Sequence, residues 1–446
     1  MSDSKIGRRE FLSRSALIGA AGIVGISACS NKEKLVPLRQ PGEYYVPELP
    51  DKAIDGRELK VGVVGCGGRG SGAIINLLDA ADGIVVTALG DTFADRIDNL
   101  RKRLKENKNI EVPDENCFVG FDAYKKVIDM VDIVILTTPP VFRPDQFKYA
   151  VEKGVHSFLE KPIAVDPKGY RTCIAAAKQA QSNGLVVVTG VQRHHQRPYV
   201  QANQKIQEGL IGTIVGGSSY WNQSQLWYRE RQKEWSDMEW MIRDWVNWTW
   251  LSGDHIVEQH VHNIDIFLWM SGLTPKAAKA TGARHRRVTG DQYDEFSVDF
   301  EFENGVHLQS MCRQIDGCSG SVHEEIRGTK GWWTSEDHKI RDYQGNILWE
   351  YDEEAEKAQF QQHNPYVLEH VDLVNLIRKG IAHEEATYTA ESTLAGVLGR
   401  EAAYTGQTIT WEDIKASSLD LMPEKLEIGP MDMSKYTVKV PGSDKK

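Results

Sequence analysis

From residue 59 onward, short runs of consecutive apolar residues alternate with longer stretches in which apolar positions recur every three or four residues. The short runs predict buried strands at residues 60–64, 84–89, 131–136, 155–159 and 185–188. The longer stretches predict amphipathic helices, for example at residues 71–80, 146–153 and 169–183. Strands that alternate with helices favour a parallel, doubly wound sheet. The pattern therefore predicts an α/β domain over residues 58–188.

The pattern changes near residue 190, where strand-like segments follow one another without long helices between them. These segments cover residues 214–220, 276–283, 295–303 and 305–313. Asn304 and Gly305 both tolerate positive φ, so they predict a hairpin turn. Two predicted helices follow, at residues 367–379 and 389–404. We therefore expect an α+β domain over residues 189–415, with a large and mostly antiparallel sheet, and a C-terminal tail over residues 416–446.

Residues 1–28 are typical of an export signal rather than of a folded segment. Arg8 and Arg9 begin the twin-arginine pattern R-R-x-F-L, and an apolar stretch follows at residues 16–26. This stretch is too short to cross a bilayer core, which takes about 20 helical residues, so it is interpreted as part of a signal peptide. We therefore expect an exported protein in the periplasm or cell envelope.

Cys29 follows the sequence Ile-Ser-Ala, which resembles a bacterial lipobox. In a lipoprotein this cysteine carries lipid and becomes the new N-terminus, so membrane attachment through Cys29 is expected. The alternative is a cysteine that follows an ordinary cleavage site by chance. Residues 29–57 are polar and proline-rich, which predicts a tether or an arm laid over the surface.

Composition narrows the classes of function. The 446 residues include 63 acidic and 53 basic side chains, a net charge of −10, which argues against a nucleic-acid-binding surface. The six cysteines form no C-x-x-C pair, so we expect no metal site. Cys312 and Cys318 could form a disulfide, but their spacing does not decide between a bond and free thiols.

Gly65, Gly67 and Gly70 form the pattern G-x-G-x-x-G between a predicted strand and a predicted helix. In a dinucleotide-binding fold, the first glycine allows a tight turn, the second lets the backbone approach a pyrophosphate and the third allows close packing of helix on strand. Gly68 and Arg69 lie inside the pattern, where the helix N-terminus faces the phosphates. The sequence therefore predicts a dinucleotide site here, with a simple glycine-rich turn as the alternative.

Asp91 ends the next predicted strand, where an acidic residue about 20 residues after the glycines binds the adenosine ribose hydroxyls. A carboxylate at this position repels a 2′-phosphate, so NAD is favoured over NADP. The alternative is an aspartate that caps the following helix.

Glu160, Lys161 and Pro162 directly follow the predicted strand 155–159. Ligands in such sheets bind outside the carboxyl ends of the strands, so Lys161 is placed to reach a substrate hydroxyl beside a nicotinamide. Pro162 restrains the turn that holds the lysine. An exposed lysine is more often a solvated charge, and its position after the strand is what favours a catalytic role.

The order and spacing of the glycine pattern, T-T-P-P at residues 137–140, E-K-P and the later helix resemble the Gfo/Idh/MocA family, which includes glucose–fructose oxidoreductase and inositol dehydrogenase. The resemblance covers roughly residues 58–412. It implies a Rossmann domain, then an α+β domain whose open sheet faces the cofactor. It also implies a catalytic role for Lys161, and it places Thr138 and Pro139 with Glu160 beside the cofactor.

The same resemblance implies self-association through the exposed sheet, as a dimer or a tetramer. The chain departs from the family at Arg143, which occupies a place where the family often has a histidine. The role of that histidine is therefore not carried over.

Residues 254–265 carry two histidines and two carboxylates at a spacing that suits one helix face. On a continuous helix, His255, Glu258, His262 and Asp265 share that face. Such a stripe is costly to bury unless it acts on something. A histidine with a pKa near neutrality can take the proton from a substrate hydroxyl.

The pair His262 and Asp265 resembles the family's H-x-x-D, in which the histidine is the acid/base. Glu258 lies four residues earlier, where inositol dehydrogenases carry an aspartate. We therefore expect Lys161, His262 and Glu258 to be catalytic, and His255 and Asp265 to bind substrate. A metal site or a purely structural stripe are the alternatives.

Seven of the twelve tryptophans fall between residues 221 and 250. Aromatic faces stack on the C–H faces of sugar rings, so this cluster predicts a carbohydrate site, with a core or a subunit interface as the alternative. Gln192, Arg193 and Tyr199 follow the last strand of the first domain. We expect Gln192 to contact the cofactor, and Arg193 and Tyr199 to contact the substrate.

These features predict an NAD-dependent oxidoreductase that acts on a secondary hydroxyl of a sugar, glycoside or cyclitol. Free NAD is scarce outside the cytoplasm and the twin-arginine route carries folded proteins, so we hypothesise that the nucleotide stays bound and is recycled. The resemblance leaves open an NAD-dependent glycosidase that oxidises, eliminates, hydrates and reduces. Lys161 favours the dehydrogenase, and His255 favours the glycosidase. A non-catalytic sugar-binding lipoprotein is disfavoured because the motif residues are intact.

Overall fold

The computed structural model describes residue 35, residues 37–40 and residues 42–443. The chain divides into two compact units, Met1–Leu35 and Val36–Lys446, and almost all described residues belong to the second. The predicted signal peptide and Cys29 lie outside the described residues. Within the described part of the chain, no helix has both the length and the apolar character needed to cross a membrane.

In the described part of the chain, sixteen strands form two sheets. In chain order they are β1 (Leu59–Val64), β2 (Ile84–Asp91), β3 (Cys117–Val119), β4 (Ile133–Leu136), β5 (His156–Leu159), β6 (Val186–Thr189), β7 (Ile214–Gln223), β8 (Ala277–Ala283), β9 (Glu295–Glu301), β10 (His307–Gln314), β11 (Ser321–Gly328), β12 (Gly331–Thr334), β13 (Lys339–Asp342), β14 (Ile347–Glu350), β15 (His383–Glu384) and β16 (Ile409–Thr410).

The α-helices of the described residues are α1 (Gly68–Ala80), α2 (Ala94–Lys108), α3 (Ala123–Ile128), α4 (Arg143–Glu152), α5 (Pro167–Ser182), α6 (Arg197–Gln207), α7 (Asp237–Arg243), α8 (Thr249–Ser252), α9 (His255–Glu258), α10 (Val261–Ser271), α11 (Glu353–Gln359), α12 (Pro365–Lys379), α13 (Ala386–Thr405) and α14 (Trp411–Ala416). Short 3₁₀ turns lie at Asp114–Asn116, Pro140–Phe142, Gln192–His195, Trp245–Asn247, Glu303–Gly305 and Met433–Lys435.

The first sheet has seven parallel strands in the order β15-β6-β5-β4-β1-β2-β3. The strand order reverses beside β1, so the loops after β1 and β4 diverge and leave a crevice at the carboxyl ends of the strands. Every residue of β4 and β6 is buried, as expected for a parallel sheet covered on both faces. The predicted doubly wound α/β domain is confirmed.

One strand of this sheet comes from much later in the chain than the sequence pattern indicates. β15 pairs with β6, and α12 packs on α1, so residues 365–384 return to the first domain although they fall in the range expected for the second. The proline-rich segment also packs on this domain, since Tyr45 donates a hydrogen bond to Asp372 at 2.8 Å. A two-residue strand is too short to give a periodic signal in the sequence. The pattern of helix α12 does not show which domain the helix packs against.

The second sheet has nine strands in the order β14-β13-β12-β11-β7-β10-β9-β8-β16. Among its pairs β10 and β7 are parallel and the others antiparallel, which confirms the mostly antiparallel sheet. The predicted hairpin joins β9 and β10, with Asn304 at φ 59° and Gly305 at φ 72°. β11 to β14 were not predicted, because β12 to β14 have only four residues each and charged side chains interrupt the apolar alternation of β11.

Alternation along β10 defines the two faces of the second sheet. Leu308, Ser310 and Cys312 are buried under the helices, whereas His307 and Met311 are exposed on the opposite, open face. The described cysteines are free thiols, and Cys318 is exposed while Cys312 is buried, so the structure contains no bond between them.

A buried ionic cluster ties the returning segment to the first domain. His195 is fully buried, and its Nε2 lies 3.0 Å from Asp372 Oδ2 and 3.7 Å from Glu385 Oε1. Burial lowers the pKa of His195, but the charge of Glu385 and the hydrogen bond to Asp372 raise it to about 9. The imidazolium is therefore the form that the fold stabilises.

We predict that the cluster makes stability depend on pH between neutral and alkaline conditions. The folded pKa of about 9 exceeds the unfolded value, so the contribution of His195 is complete below pH ~6.5 and is lost as pH rises through about 9. His195→Gln should lower stability by roughly 3 kcal/mol near pH 6, and the difference should shrink towards pH 10. Thermal unfolding of both proteins across this range measures it.

His307→Gln is the matched control for this prediction, since His307 pairs with Asp299 at 2.7 Å on the exposed sheet face. It should show no comparable pH dependence. A deficit of His195→Gln that stays constant from pH 6 to pH 10 would contradict the assignment.

Candidate active site

The glycine pattern forms the turn between β1 and α1. Gly65 has φ 92°, which favours glycine, and a Cβ on Gly70 would lie 1.9 Å from the Gly65 carbonyl oxygen. Gly67 and Gly68 have no atom within 4 Å of where a Cβ would stand. The first and last glycines are therefore required for packing, while the middle ones leave the backbone open to a ligand.

The turn opens onto a cavity of about 630 Å³, called here the glycine-loop cavity. Gly65, Gly67, Gly68 and Arg69 line it together with Asp91 at the end of β2. Asp91 Oδ2 accepts a hydrogen bond from the Cys66 N–H at 2.7 Å, and Oδ1 accepts one from the Phe93 N–H at 2.9 Å. Burial raises the pKa of Asp91 from its ordinary value, against these donors.

This cavity has the features that a dinucleotide requires. The open backbone at Gly67 and Gly68 lies at the N-terminus of α1 and would hold a pyrophosphate, and Asp91 would hold the adenosine ribose. Thr138 and Pro139, after β4, line the same cavity. The residues present therefore fit NAD, and when bound it supplies the two-electron redox chemistry of the site.

A second cavity of about 400 Å³, called here the Lys161 cavity, lies at the carboxyl ends of β5 and β6. It is lined by the predicted Glu160, Lys161, Gln192, Glu258 and His262, and by Trp221, Trp245, Gln259 and Tyr366, among others. Four residues line both cavities: Arg69, Thr137, Thr138 and Trp245. The two cavities are therefore adjacent parts of one cleft.

Gln192 contributes an unpaired acceptor to the Lys161 cavity. Its Oε1 is buried and has no hydrogen-bond partner within the protein. A buried acceptor without a partner is costly, so a ligand that brings an N–H donor, such as a carboxamide, suits this position. This supports the expectation that Gln192 contacts the cofactor.

Lys161 is held by Glu258 through two contacts. Its Nζ donates to Glu258 Oε1 at 3.0 Å and also to the Glu258 backbone carbonyl. The two side chains are 10% and 8% exposed, so the pair faces the cavity but is largely shielded from solvent. The ammonium group is therefore fixed in direction before any ligand arrives.

The expectation of one continuous helix over residues 254–265 is wrong. α9 ends at Glu258 and α10 begins at Val261, and the His262 N–H donates to the carbonyl of Gln259 at 3.3 Å rather than to that of Glu258. The break frees the Glu258 carbonyl for Lys161. It also rotates the two halves relative to one another, so the four predicted side chains do not share a face.

His262 lies in the Lys161 cavity with its ring stacked on Trp221, at 5.6 Å between centroids. Burial, and then the charge of Lys161, lower the pKa of His262 well below its ordinary value. The imidazole is therefore neutral at neutral pH and can accept a proton.

The other two members of the predicted stripe point elsewhere. His255 Nδ1 bonds Asp254 Oδ1 at 3.0 Å, inside the second domain. Asp265 accepts from Ser392 Oγ and pairs with His194 Nε2, both at 2.6 Å. His255 and Asp265 lie outside the Lys161 cavity, so their positions correct the expectation of substrate contacts.

Arg193 and Tyr199 are buried and form hydrogen bonds to other side chains of the protein. Arg193 Nη1 donates to Asn263 Oδ1 at 2.9 Å and to Glu324, and Tyr199 donates to Glu324 Oε2 at 3.1 Å. Neither residue lines either cavity. Arg193 supports the site indirectly, because its guanidinium lies 5.5 Å from the Trp221 ring.

Arg69 connects the glycine pattern to E-K-P. It forms ion pairs with Glu160 and with Glu369 of α12, the latter at 2.9 Å, and lies 4.8 Å from the Tyr366 ring. Glu369 and Tyr366 are about 300 residues away in the chain, and no local motif marks them. They are site residues that the sequence did not indicate.

Arg143 is buried and donates to the backbone carbonyls of Pro162 and Thr138. It thereby joins the loop after β4 to the turn that carries Lys161. Burial lowers the pKa of Arg143 to about 10, against the charge of Glu160. The arginine acts on the loops that frame the cleft, so it is a positioning residue.

The tryptophans between residues 221 and 250 lie partly in the hydrophobic core and partly along the two cavities, the two main locations that the sequence left open. Trp248 and Trp250 are buried in a hydrophobic core, whereas Trp221 and Trp245 line the Lys161 cavity and Trp227 lines the glycine-loop cavity. Part of the cluster therefore belongs to the core and part to the cleft.

Among the described residues, one group has the chemistry and spacing to hold a metal ion. It consists of His195, Asp372 and Glu385, whose ligand atoms lie within 4.8 Å of one another, and it lines neither cavity. Tyr45 and Thr189 already donate to the two carboxylates. The contacts of these three residues are those of an ionic cluster in which the His195 imidazolium pairs with the two carboxylates.

Comparison with known families agrees with this organisation. Residues 59–190 match the model described as "Oxidoreductase family, NAD-binding Rossmann fold", and residues 199–334 match the model described as "GFO/IDH/MocA C-terminal domain". The two matches together cover more than half of the chain. The boundary between them falls between β6, in the parallel sheet, and β7, in the mostly antiparallel sheet.

Curated relatives include enzymes of two kinds. Inositol 2-dehydrogenase of Salmonella typhimurium is 25% identical over 279 residues, which are 61% of this chain and 72% of that protein. A glycosyl hydrolase family 109 protein of Shewanella pealeana is 25% identical over 226 residues, which are 50% of this chain and 47% of that protein. The match therefore spans about half the length of the latter.

A solved structure shows the same fold along almost its whole length. The scyllo-inositol dehydrogenase from Lactobacillus casei, with bound NAD(H) and scyllo-inositol, superposes with a TM-score of 0.58 at 20% sequence identity. The superposition covers 79% of this chain and 99% of that chain.

We predict that Arg143 is required for the stability of the cleft. Arg143→Met should lower the free energy of unfolding by roughly 2–4 kcal/mol, because two buried carbonyls lose their donors. The free energy of unfolding of Arg143→Lys, which keeps one donor group, should lie between those of Arg143→Met and the wild type. Urea unfolding measures both, and a full loss of stability in the lysine variant but none in the methionine variant would contradict the assignment.

Proposed function

The chain belongs to the Gfo/Idh/MocA oxidoreductase family, and from this we propose that it is an NAD-dependent oxidoreductase acting on a secondary hydroxyl of a sugar, glycoside or cyclitol. The observation that carries the proposal is the cleft itself. Lys161, Glu258 and the neutral His262 line a cavity that adjoins the glycine-loop cavity. The proposed acid Lys161, the proposed base His262 and the backbone that would bind the nucleotide therefore lie in one cleft.

The side chains of the cleft can move the proton that such a reaction releases. The neutral His262 imidazole accepts the proton of the substrate hydroxyl. The Lys161 ammonium, oriented by Glu258, donates a hydrogen bond to the same oxygen and stabilises its developing negative charge. Arg69 and Arg143 hold the loops so that these groups keep their positions.

The charges of the Lys161 cavity favour an uncharged substrate. Lys161 is paired with Glu258 and Arg69 with Glu160 and Glu369, while Arg143 donates to two backbone carbonyls, so each of these cations of the cavity walls already has partners within the protein. Trp221 and Trp245 supply faces for the C–H groups of a sugar or cyclitol ring, and Gln259 supplies amide groups for hydroxyls.

An NAD-dependent glycosidase is the second candidate, and the relatives in glycosyl hydrolase family 109 favour it. Such a reaction begins with the same oxidation of a ring hydroxyl. It then eliminates the aglycone, adds water and reduces the ketone, so the nucleotide ends as it began. Lys161 favours the dehydrogenase by family resemblance, and substrate tests decide between the two.

We also propose export by the twin-arginine route, a lipid on Cys29 and an NAD that stays bound between turnovers. The leader pattern of residues 8–12 supports export, and the sequence Ile-Ser-Ala before Cys29 supports the lipid. We further propose a dimer or tetramer. The open face of the nine-stranded sheet supports it, because exposed apolar side chains such as Met311 and Ile347 lie on its strands.

We predict that the mature protein retains nucleotide. After purification without added nucleotide and denaturation, the supernatant should contain close to one NAD(H) per chain, measured by an enzymatic cycling assay. Sugar pairs, cyclitols and aryl glycosides then separate the candidates, since only a glycosidase releases aglycone without net redox change. A protein that copurifies with no nucleotide but reduces added NAD would be a plain dehydrogenase and would contradict retention.

We predict that His262 is the base of the reaction. His262→Asn should lower kcat/KM by roughly 10²–10⁴-fold, with nucleotide binding unchanged, because His262 lies in the Lys161 cavity alone. Its lowered pKa places the loss of activity in acid well below pH 6.5 in the wild type. A kcat/KM profile from pH 5 to pH 8 tests this, and a midpoint at or above pH 6.5 would count against His262.

Lys161→Ala distinguishes the enzymatic proposals from a binding role. It should abolish turnover while the protein stays folded. Full activity in this variant would leave a non-catalytic sugar-binding protein as the better description.

A further inference from the structure

The glycine-loop cavity is lined in part by segments of the chain outside the Rossmann domain. Residues 227–245 contribute Trp227, Arg229, Ile242, Arg243 and Trp245 to its wall, and the C-terminal tail contributes Met422 and Leu426. Residues 227–245 and 421–431 are called here the cover. Asp91, Phe93 and Arg96 of the Rossmann domain line the same cavity.

One ion pair joins the cover to the Rossmann domain beside Asp91. Arg243 Nη2 lies 2.9 Å from Asp95 Oδ1, and Arg243 Nη1 lies 3.2 Å from Asp95 Oδ2, so the contact is bidentate. The same guanidinium lies 4.0 Å from the centroid of the Phe93 ring. Phe93 lines the cavity two residues after Asp91, so the pair sits at the adenosine end.

Arg243 is oriented by its own segment before it reaches across. Its Nε donates to Glu239 Oε1 at 2.9 Å, and its guanidinium lies 5.2 Å from the Trp235 ring. The Arg243 side chain is 14% exposed, whereas that of Asp95 is 51% exposed. The arginine is therefore held in place, and the contact with Asp95 is the part that solvent can break.

The two segments of the cover are bonded to one another. The Met431 N–H donates to Asp237 Oδ2 at 2.9 Å, and the Met238 N–H donates to the Gly429 carbonyl at 3.1 Å. Earlier in the tail, the Leu421 N–H donates to Asp166 Oδ2 of the Rossmann domain at 2.8 Å. An opening at Arg243 therefore has to displace helix α7 and the tail together.

The charge on the inner side of the cover suits an anionic ligand. Arg96, Arg229 and Arg243 line the same cavity. Burial, and then the charges of Arg96 and Arg243, lower the pKa of Arg229. Arg96 Nε lies 3.9 Å from Asp95 Oδ2, the carboxylate that Arg243 already uses. A ligand that brings negative charge offsets this repulsion, as a dinucleotide does.

We propose that the cover encloses the adenosine half of the bound dinucleotide, and that the Arg243–Asp95 pair holds it closed, so that nucleotide release requires this pair to open. The inference rests on the proposed function, since it takes NAD as the occupant of the cavity. It assigns nucleotide retention to named residues of the second domain and the tail. Such a contact accounts for a cofactor that remains bound where free NAD is scarce.

Nucleotide release from the full mature chain tests the cover. Protein loaded with NADH is mixed with excess NAD, and release is followed by the loss of energy transfer from tryptophan to NADH. Arg243→Ala should release NADH about fivefold or more faster than wild type, the effect of losing one such ion pair. Added salt should accelerate release from the wild type more than from the variant, because only the wild type has the pair for salt to screen.

Arg341→Ala is the matched control. Arg341 makes a bidentate contact with Asp337 and lies 5.4 Å from the Trp332 ring, so it resembles Arg243, but it lies on β13 and lines neither cavity. It should release NADH at the wild-type rate. Asp95→Asn removes the other partner of the pair and should match Arg243→Ala, with no further increase in the double variant.

The outcomes separate the cover from the proposed function. A wild type that binds no nucleotide contradicts both. A wild type that retains NADH, with Arg243→Ala releasing it at the same rate, contradicts the cover and leaves the oxidoreductase in place. Equal acceleration in Arg243→Ala and Arg341→Ala reflects general loosening and also contradicts the cover. Unfolding temperatures equal to wild type confirm that each variant is folded.

Discussion

The cleft depends on the contact between Lys161 and Glu258, which joins the end of β5 to the break between α9 and α10. A continuous helix would use the Glu258 carbonyl internally, and Lys161 would find the carboxylate alone. Because the helix breaks, the carbonyl and Oε1 at 3.0 Å both face the ammonium. The same break turns His262 into the Lys161 cavity. One local irregularity thus positions Lys161, its partner Glu258 and His262 in the same cavity.

Charge balance explains how so many ionic groups stay buried at this site. Lys161 faces Glu258, and Arg69 faces Glu160 and Glu369, so these two cations are each paired with a carboxylate. The buried Arg143 is satisfied instead by the backbone carbonyls of Pro162 and Thr138. Removing one partner would leave the other desolvated, which is far more costly than the pair itself is stabilising. The groups are therefore fixed in advance, and a substrate meets donors that do not need to reorganise.

The two domains share elements as well as a cleft. Residues 365–384 leave the second domain to complete the first sheet, and the tail returns across the glycine-loop cavity. The glycine-loop cavity is lined by three distant parts of the chain, namely the Rossmann domain, residues 227–245 and the tail. This arrangement places residues of the second domain, among them Trp221 and His262, in the same cleft as the glycine pattern.

The sequence alone determined those features whose physics is local. Gly65 and Gly70 follow from backbone conformation and close packing, Asp91 and Lys161 from their places at strand ends, and the hairpin at Asn304 from its allowed φ. Features that depend on contacts between distant residues were decided by the tertiary structure. Periodicity did not show the break before Val261, which sends Asp265 and His255 away from the cleft.

The same reason accounts for the remaining differences. Arg193 and Tyr199 lie in the expected part of the chain, but Glu324 on β11 draws both into the interior. Glu369 enters the site because α12 packs on α1, and sequence spacing carries no record of that packing. Local rules identify which side chains have the right chemistry. Only the packed chain decides which of them meet, because each buried charge must find a partner wherever the fold supplies one.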